Sequence, residues 1–189
     1  MARRRMTFYR RNLPHWQPEG KALFITWGLY GSVPSTIIRE FAEKRAEIFG
    51  EEFREMDWLM DRANAGPTWL KEPEIAMCVI RALERGAREL DCFSLFAYVV
   101  MSNHVHILIE PRAPLHRITN GIKGYAARQA NKILQRTGHH FWREESFDHW
   151  VRNEPEFHEI KTYIEHNPVT AGLVERPEDW PWSSASRKV

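Results

Sequence analysis

A histidine pair separated by one residue, His104 and His106, is the first feature of the sequence that could bind a metal ion. The pair lies in HVHILIE, a run of β-forming residues, and alternate side chains of a strand project from the same face. The two imidazoles would then lie side by side, with Val105 on the opposite face. Two ligands are fewer than the four of a structural zinc site. The pair therefore predicts either an open metal site or two half-exposed histidines that bind nothing.

Tyr163 and Asn167 are four residues apart in a segment with helical periodicity, so they share one helical face. An apolar stripe of Phe157, Ile160 and Ile164 runs beside that face. A phenol next to a metal ion and a phosphodiester can act as a nucleophile, and an amide oxygen can complete the ligands of the metal. The alternative is a tyrosine at the edge of the core.

Charge is strongly segregated along the chain. The 27 basic and 25 acidic residues give a net charge of +2, but residues 1–21 carry +5 and residues 111–143 carry +7 with no acid, which leaves −10 for the rest. Such separation indicates a polyanionic partner, and phosphate backbones are the commonest one; ordinary solvated surface is the alternative. The candidate phosphate-binding residues are Arg3, Arg4, Arg5, Arg10, Arg11, Lys123, Arg128, Lys132 and Arg136. Tyr125, within the second basic stretch, is a rival to Tyr163 as nucleophile.

The composition is that of one folded domain. The 189 residues, 43% of them hydrophobic, are enough to bury a core. No apolar run reaches the roughly 20 residues of a membrane-spanning helix, and the basic N-terminus lacks the apolar stretch of a secretory signal. We therefore expect a cytoplasmic protein with no membrane partner. Cys78 and Cys92 lack the spacing of a metal finger, and no glycine-rich nucleotide-binding motif occurs.

The elements that must position these residues can be read from the same sequence. A basic arm over 1–20 is expected to precede a single domain over 21–189. Strands are predicted over 21–30, 93–101 and 104–110, the last two forming a hairpin, with a second hairpin over 141–151. Helices are predicted over 34–49, 72–90 and 115–134, and a loop with a short helix over 51–71.

The last helix has a clear start and a clear expected end. Asn153 can cap it, Pro155 suits the first turn, and Glu156 stands where a capping box requires an acid. Because a residue before proline is pushed out of the helical region, Pro168 predicts an end near Asn167. The order of elements predicts an α+β fold with an antiparallel sheet covered by helices.

Four segments together resemble a known family. MSNHVHILIEP, FWREESFDHWVRN, YIEHNPVTAGLV and DWPWSS occur in this order, and the chain over about 21–184 resembles the REP-associated tyrosine transposases. These are relatives of single-tyrosine insertion-sequence transposases within the HUH nuclease superfamily. The resemblance implies a ferredoxin-like antiparallel sheet with the histidines on a central strand.

The resemblance also implies roles for individual residues. His104 and His106 match the metal pair and Tyr163 matches the nucleophile. Asn167 stands where relatives place a polar metal ligand, often glutamine. The implied cofactor is a divalent metal, Mg²⁺ or Mn²⁺, and imidazole and amide ligands suit manganese better than magnesium.

The implied reaction is cleavage and strand transfer of single-stranded DNA at REP-type palindromes folded as hairpins. It passes through a 5′-phosphotyrosine link and leaves a free 3′-hydroxyl. Relatives act as a monomer or as a homodimer, and both states are compatible with this sequence. Two other functions are compatible with the residues: a DNA hairpin-binding protein without catalysis, and a metal-dependent phosphoesterase that uses water.

Overall fold

The computed structural model describes residues 6–10, 14–18, 20–32, 66–144 and 146–186, the first two ranges by their backbone alone. The helix expected over 34–49 and most of the loop expected over 51–71 lie outside these ranges. Four arginines of the basic arm also lie outside them: Arg3, Arg4, Arg5 and Arg11.

The described strands form two antiparallel sheets. β1 (Met6–Arg10) pairs with β2 (Pro14–Pro18) in a hairpin, and Arg10 ends the first of these strands. The main sheet has the order β4-β5-β3-β6. Its strands are β3 (Leu23–Gly28), β4 (Phe93–Val100), β5 (His104–Pro111) and β6 (Phe147–Trp150).

Three helices complete the described fold. They are α1 (Pro73–Glu84), which continues into a π-helical turn (Arg85–Glu89), α2 (Leu115–Ile133) and α3 (Glu154–Thr170). α2 connects β5 to β6, and β4 and β5 form the predicted hairpin. The sheet order and the chain order together are those of a ferredoxin-like fold. The predicted α+β class is confirmed.

The start of α3 agrees with its sequence signal, whereas its end does not. The Asn153 side chain accepts a hydrogen bond from the Glu156 backbone N at 2.9 Å, and Pro155 lies in the first turn. The expected end near Asn167 is wrong, because α3 continues through Pro168 to Thr170. A proline so close to the C-terminus removes one N–H, and the last turn still closes through a bond from Ala171 N to Asn167 O at 2.9 Å.

The hairpin expected over 141–151 is also wrong. This segment follows one side of β3 as a single interrupted edge strand: Trp142 bridges Leu29, and Phe147 pairs with Thr26. Between these two points the segment has two more residues than β3, so it forms a bulge. Both parts of the segment pair with β3 instead of with each other.

Each face of the main sheet has its own core. α1 and α2 pack on one face over a large aliphatic cluster that includes Ile25, Val105 and Ile107. α3 packs on the other face over a smaller cluster that includes Phe24 and Leu108. None of the helices in the described ranges is both long and apolar enough to cross a lipid bilayer.

The DWPWSS segment covers the outer edge of β4. The Trp180 indole donates to Val100 O at 3.0 Å, Val100 N donates to Trp182 O at 2.9 Å, and Ser183 bridges Val99. The Ser184 hydroxyl accepts a bond from Tyr98 N. These bonds satisfy an edge that would otherwise expose unpaired backbone groups.

Candidate active site

The two histidines lie on the face of β5 that α3 covers. Their ring centroids are 4.7 Å apart, and Phe24 from β3 stacks on His106 at 5.6 Å. Val105 projects to the opposite face and belongs to the aliphatic core. Both imidazoles are fully buried. Both rings are therefore shielded from bulk water.

Asn103, which ends the turn before β5, orients the first histidine. Its Oδ1 lies 2.7 Å from Nδ1 of His104, so this ring nitrogen is the donor and Nε2 is the acceptor. A carbonyl partner on the second nitrogen is the usual way in which proteins orient a histidine that binds metal. The sequence analysis did not identify this residue, although its position directly before the histidine pair was a signal.

The helix α3 brings Tyr163 and Asn167 to the histidines. Ile160 and Ile164, both fully buried, fix the helix on the sheet. The ring of Tyr163 lies 5.9 Å from the ring of His106, edge to face. Nδ2 of the buried Asn167 lies 3.5 Å from the phenolic oxygen, a long contact that places the amide beside the phenol.

Tyr125 lies on the other side of the sheet. Its ring packs at the border of the aliphatic core on α2, with the Arg85 guanidinium 5.6 Å from the ring centroid. The sheet therefore separates this phenol from His104 and His106. Of the two tyrosines considered from the sequence, only Tyr163 shares a face with the histidine pair.

A pair formed by His149 and Glu156 holds the beginning of α3. His149 Nε2 lies 3.0 Å from Glu156 Oε1, so β6 is joined to the first turn of the helix that carries Tyr163. Burial lowers the pKa of His149, and the hydrogen bond and charge of Glu156 offset only part of this effect. The imidazole is thus favoured in its neutral form. No local sequence signal points to this pair, because the two residues belong to different elements.

The four candidate DNA-binding residues on and beside α2 fall into two groups. The Lys123 ammonium donates to the backbone carbonyls of Arg143 and Glu144 at 2.8 and 2.9 Å, and the Arg136 guanidinium lies 4.0 Å from the centre of the Trp69 ring. Both cations thus contact protein groups. Arg128 and Lys132 are exposed on α2, on the side of the sheet away from the histidines.

The side chains of His104, His106 and Asn167 form a donor set that suits a divalent ion. Within the described ranges, no three side chains of His, Cys, Asp or Glu form a cluster that could hold a metal. Two imidazoles and the amide oxygen of Asn167 nevertheless share one face, and these are neutral nitrogen and oxygen donors of the kind that manganese and magnesium accept. A phosphate oxygen of a substrate would add a charged ligand.

The sequence profile of the family described as IS200-like transposases matches residues 73–167, half of the chain. This segment contains His104, His106, Tyr163 and Asn167. The chain belongs to the IS200-like transposases, a family of DNA-processing enzymes.

Individual relatives share only modest sequence identity with the chain. The chain is 26% identical over 102 residues to the REP-associated tyrosine transposase of Escherichia coli. It is also 26% identical over 110 residues to a protein of Haemophilus influenzae provisionally given the same name. Each match covers 51% of this chain, and the two matches cover 57% and 61% of the respective relatives, so the chain spans about six tenths of their length.

One solved structure shares the fold. It is that of a REP-associated tyrosine transposase bound to a REP hairpin, with a TM-score of 0.57 and 20% sequence identity. The superposition covers 96% of this chain and 84% of that one. The ferredoxin-like architecture thus extends to that protein.

Proposed function

We propose that the protein is a metal-dependent single-stranded DNA endonuclease and strand-transferase that acts on REP-type hairpins through a 5′-phosphotyrosine intermediate. The observation that carries the proposal is the 5.9 Å approach of the Tyr163 ring to the His106 ring across the α3 face of the sheet. The membership of the transposase family and the hairpin bound by the structural neighbour support it.

His104, His106 and the amide oxygen of Asn167 would hold the divalent ion, Mg²⁺ or Mn²⁺. When bound, the ion supplies positive charge that stabilises the nonbridging oxygens of the phosphate under attack. The hydrogen bond to Asn103 places the proton of the neutral His104 ring on Nδ1, so the Nε2 lone pair is available to the ion. The buried surroundings strengthen every electrostatic interaction in the site because the local dielectric constant is low.

Tyr163 would be the nucleophile. Its phenolic oxygen forms a bond to phosphorus while the bond from phosphorus to the 3′-oxygen breaks, and the proton lost by the phenol balances the one gained by the leaving 3′-oxygen. The downstream strand then remains attached to the protein through its 5′-phosphate. Attack by a 3′-hydroxyl on that link reverses the step without an external energy source. The Asn167 amide N–H, beside the phenolic oxygen, stabilises negative charge on it.

The test uses the full chain, Mn²⁺ and a DNA stem-loop with single-stranded extensions, labelled at either its 5′ or its 3′ end. We expect a denaturant-resistant adduct that retains the 3′ label and lacks the 5′ label. Tyr163→Phe should abolish this adduct and leave hairpin affinity nearly unchanged. Tyr125→Phe is the matched control, since it removes a phenol on the opposite face, and it should form the adduct normally.

Three results would contradict the proposal. An adduct that survives Tyr163→Phe would assign the nucleophile elsewhere. Cleavage without an adduct would indicate a phosphoesterase that uses water. Tight binding without cleavage at any metal concentration would indicate a hairpin-binding protein.

A further inference from the structure

Arg143 projects from the bulge in the edge strand. The bulge lies between the Trp142 bridge to Leu29 and the regular pairing of β6 with β3. Arg143 N donates to Gly28 O at 2.9 Å, which fixes the backbone of the residue beside the end of β3. Because Trp142 belongs to the aliphatic core, strand alternation places the neighbouring Arg143 side chain on the opposite face.

The guanidinium occupies the space above Gly28. A Cβ atom built on Gly28 would lie 3.0 Å from Nη2 of Arg143, 3.2 Å from Oγ of Ser32 and 3.4 Å from the backbone oxygen of Asn103. The absence of a side chain at position 28 is therefore what admits the guanidinium. An alanine there would make the guanidinium shift by a few tenths of an ångström, and a bulkier residue would take its space.

This location is on the same face as the histidine pair. Gly28 is directly paired with His104 in the register of β3 and β5, and directly paired residues project from the same face of a sheet. Their Cβ positions in such pairs are about 5 Å apart, which places Nη2 of Arg143 within roughly 9 Å of the Cβ of His104. Arg143 thus lies at the margin of the candidate active site, although the sequence analysis did not single it out.

One nitrogen of the Arg143 guanidinium lacks a hydrogen-bond partner among the described residues. That nitrogen, Nη2, is buried. Burial lowers the pKa of Arg143, yet an arginine remains protonated in proteins. Arg143 as a whole is only partly buried, but its buried Nη2 has no acceptor, which costs free energy that an anion from outside would recover.

The loop that carries this cation is held firmly. The Lys123 ammonium donates to the carbonyls of Arg143 and Glu144, and the Trp142 indole donates to Lys123 O at 3.0 Å. Trp142 also packs edge to face on Trp27 in the aliphatic core. The backbone of Arg143 is therefore positioned before any ligand binds, so only the side chain has to be ordered on binding.

We propose that Arg143 binds a nonbridging phosphate oxygen of the DNA strand at, or directly next to, the linkage that Tyr163 attacks. This inference rests on the proposed function, since it assigns the anion to the same DNA substrate. A guanidinium presents two parallel N–H donors that match a phosphate, and it recognises the backbone without reading a base. The absence of a side chain at Gly28 then contributes to this phosphate contact, because it provides the space for the guanidinium.

The experiment measures binding without cleavage. The Tyr163→Phe protein is titrated with stem-loops in which single linkages around the foot of the hairpin carry an uncharged methylphosphonate. With Arg143 present, we expect one linkage, or two adjacent ones, at which the substitution weakens affinity by about tenfold, the scale of a charge-assisted hydrogen bond. With Arg143→Gln added, the unmodified DNA should bind about tenfold more weakly, and methylphosphonate at that linkage should have no further effect.

Two further variants separate phosphate binding from a structural role. Gly28→Ala shifts the guanidinium by a few tenths of an ångström, so it should weaken affinity less than Arg143→Gln and have no further effect once Arg143→Gln is present. Arg88→Gln removes an exposed cation outside the site and should change neither affinity nor its dependence on methylphosphonate. The Tm of Arg143→Gln should not fall, because the variant removes a cation whose buried Nη2 has no hydrogen-bond partner.

The inference is overturned if Arg143→Gln leaves the methylphosphonate profile unchanged, or if it lowers Tm while affinity is retained. Failure of the proposed function has a different signature. In that case the chain with Tyr163 intact forms no adduct, while the coupling between Arg143 and one phosphate is still observed in the binding assay.

Discussion

The two faces of the main sheet are built from different kinds of residues. The face under α1 and α2 is aliphatic and aromatic, with Ile25, Val105 and Ile107 at its centre. The face under α3 buries polar side chains beside its apolar ones, including Thr26, His104, His106, His149 and Asn167. One face gains stability by removing apolar surface from water, whereas the other holds polar groups whose burial costs free energy unless they are bonded or bind a ligand.

The two faces separate the exposed cations of α2 from the candidate catalytic side chains. The exposed cations of α2 lie with the aliphatic face, while Arg143 lies at the margin of the polar face. A strand of DNA whose linkage reaches Tyr163 therefore cannot place the same phosphate on Arg128 or Lys132. These α2 residues can contribute only to a more distant part of a nucleic acid, through long-range attraction or contacts outside the active site.

The largest effect should come from removing both histidines of the polar face. We expect His104→Ala with His106→Ala to reduce adduct formation roughly a thousandfold, because charge on the phosphate is no longer stabilised. Single-turnover assays over a range of Mn²⁺ concentrations measure this. A matched control replaces His158 and His166, which are exposed on α3. Equal activity in the two double variants would mean that the buried histidines contribute no more to the reaction than the exposed histidines of α3.

Asn103 should act through the orientation of His104. Asn103→Ala should raise the Mn²⁺ concentration needed for half-maximal cleavage by about 10- to 100-fold, the usual effect of losing the partner of a metal-binding histidine. Asn103→Asp retains an acceptor and should restore most of the affinity for the metal. An unchanged metal requirement in Asn103→Ala would mean that the 2.7 Å contact has only a structural role.

The exposed cations of α2 should affect binding but not chemistry. Arg128→Gln with Lys132→Gln should weaken affinity for the stem-loop a few-fold at low salt. It should also reduce the slope of log affinity against log salt by at most about 1.5. The rate of adduct formation at saturating DNA should stay the same. A large fall in that rate would show that these α2 residues take part in the reaction as well as in binding.

The smallest effect should be a pH dependence of stability from His149. Because burial lowers the pKa of this imidazole in the folded chain, the unfolded chain binds a proton more readily. The stabilisation is present above the unfolded pKa of about 6.5 and is lost as the pH falls through the folded pKa. Tm should therefore fall between about pH 7.5 and about pH 5.5, and fall less in His149→Gln. Equal slopes for both proteins would contradict this assignment.

Local signals in the sequence were sufficient for most elements of the fold. The strands around His104, the basic helix and the Asn153 cap follow from alternation, helical periodicity and capping chemistry, and all three are confirmed. The predictions for 141–151 and for the end of α3 failed for different reasons. The 141–151 segment pairs with β3, a partner distant in sequence, whereas the last turn of α3 closes locally through the bond from Ala171 N to Asn167 O despite Pro168.

The sequence by itself determined which groups can do chemistry: the spacing of His104 and His106, the phenol and amide one helical turn apart, and the order of the motifs. Those features depend on covalent neighbours and on backbone periodicity, which the sequence contains directly. Only the tertiary structure decided that Tyr163, not Tyr125, shares a face with the histidines, and that the space left by Gly28 is filled by the guanidinium of Arg143. Both outcomes depend on strand register and on which side of the sheet each helix packs, and these are set by burial of the whole core instead of by any one segment.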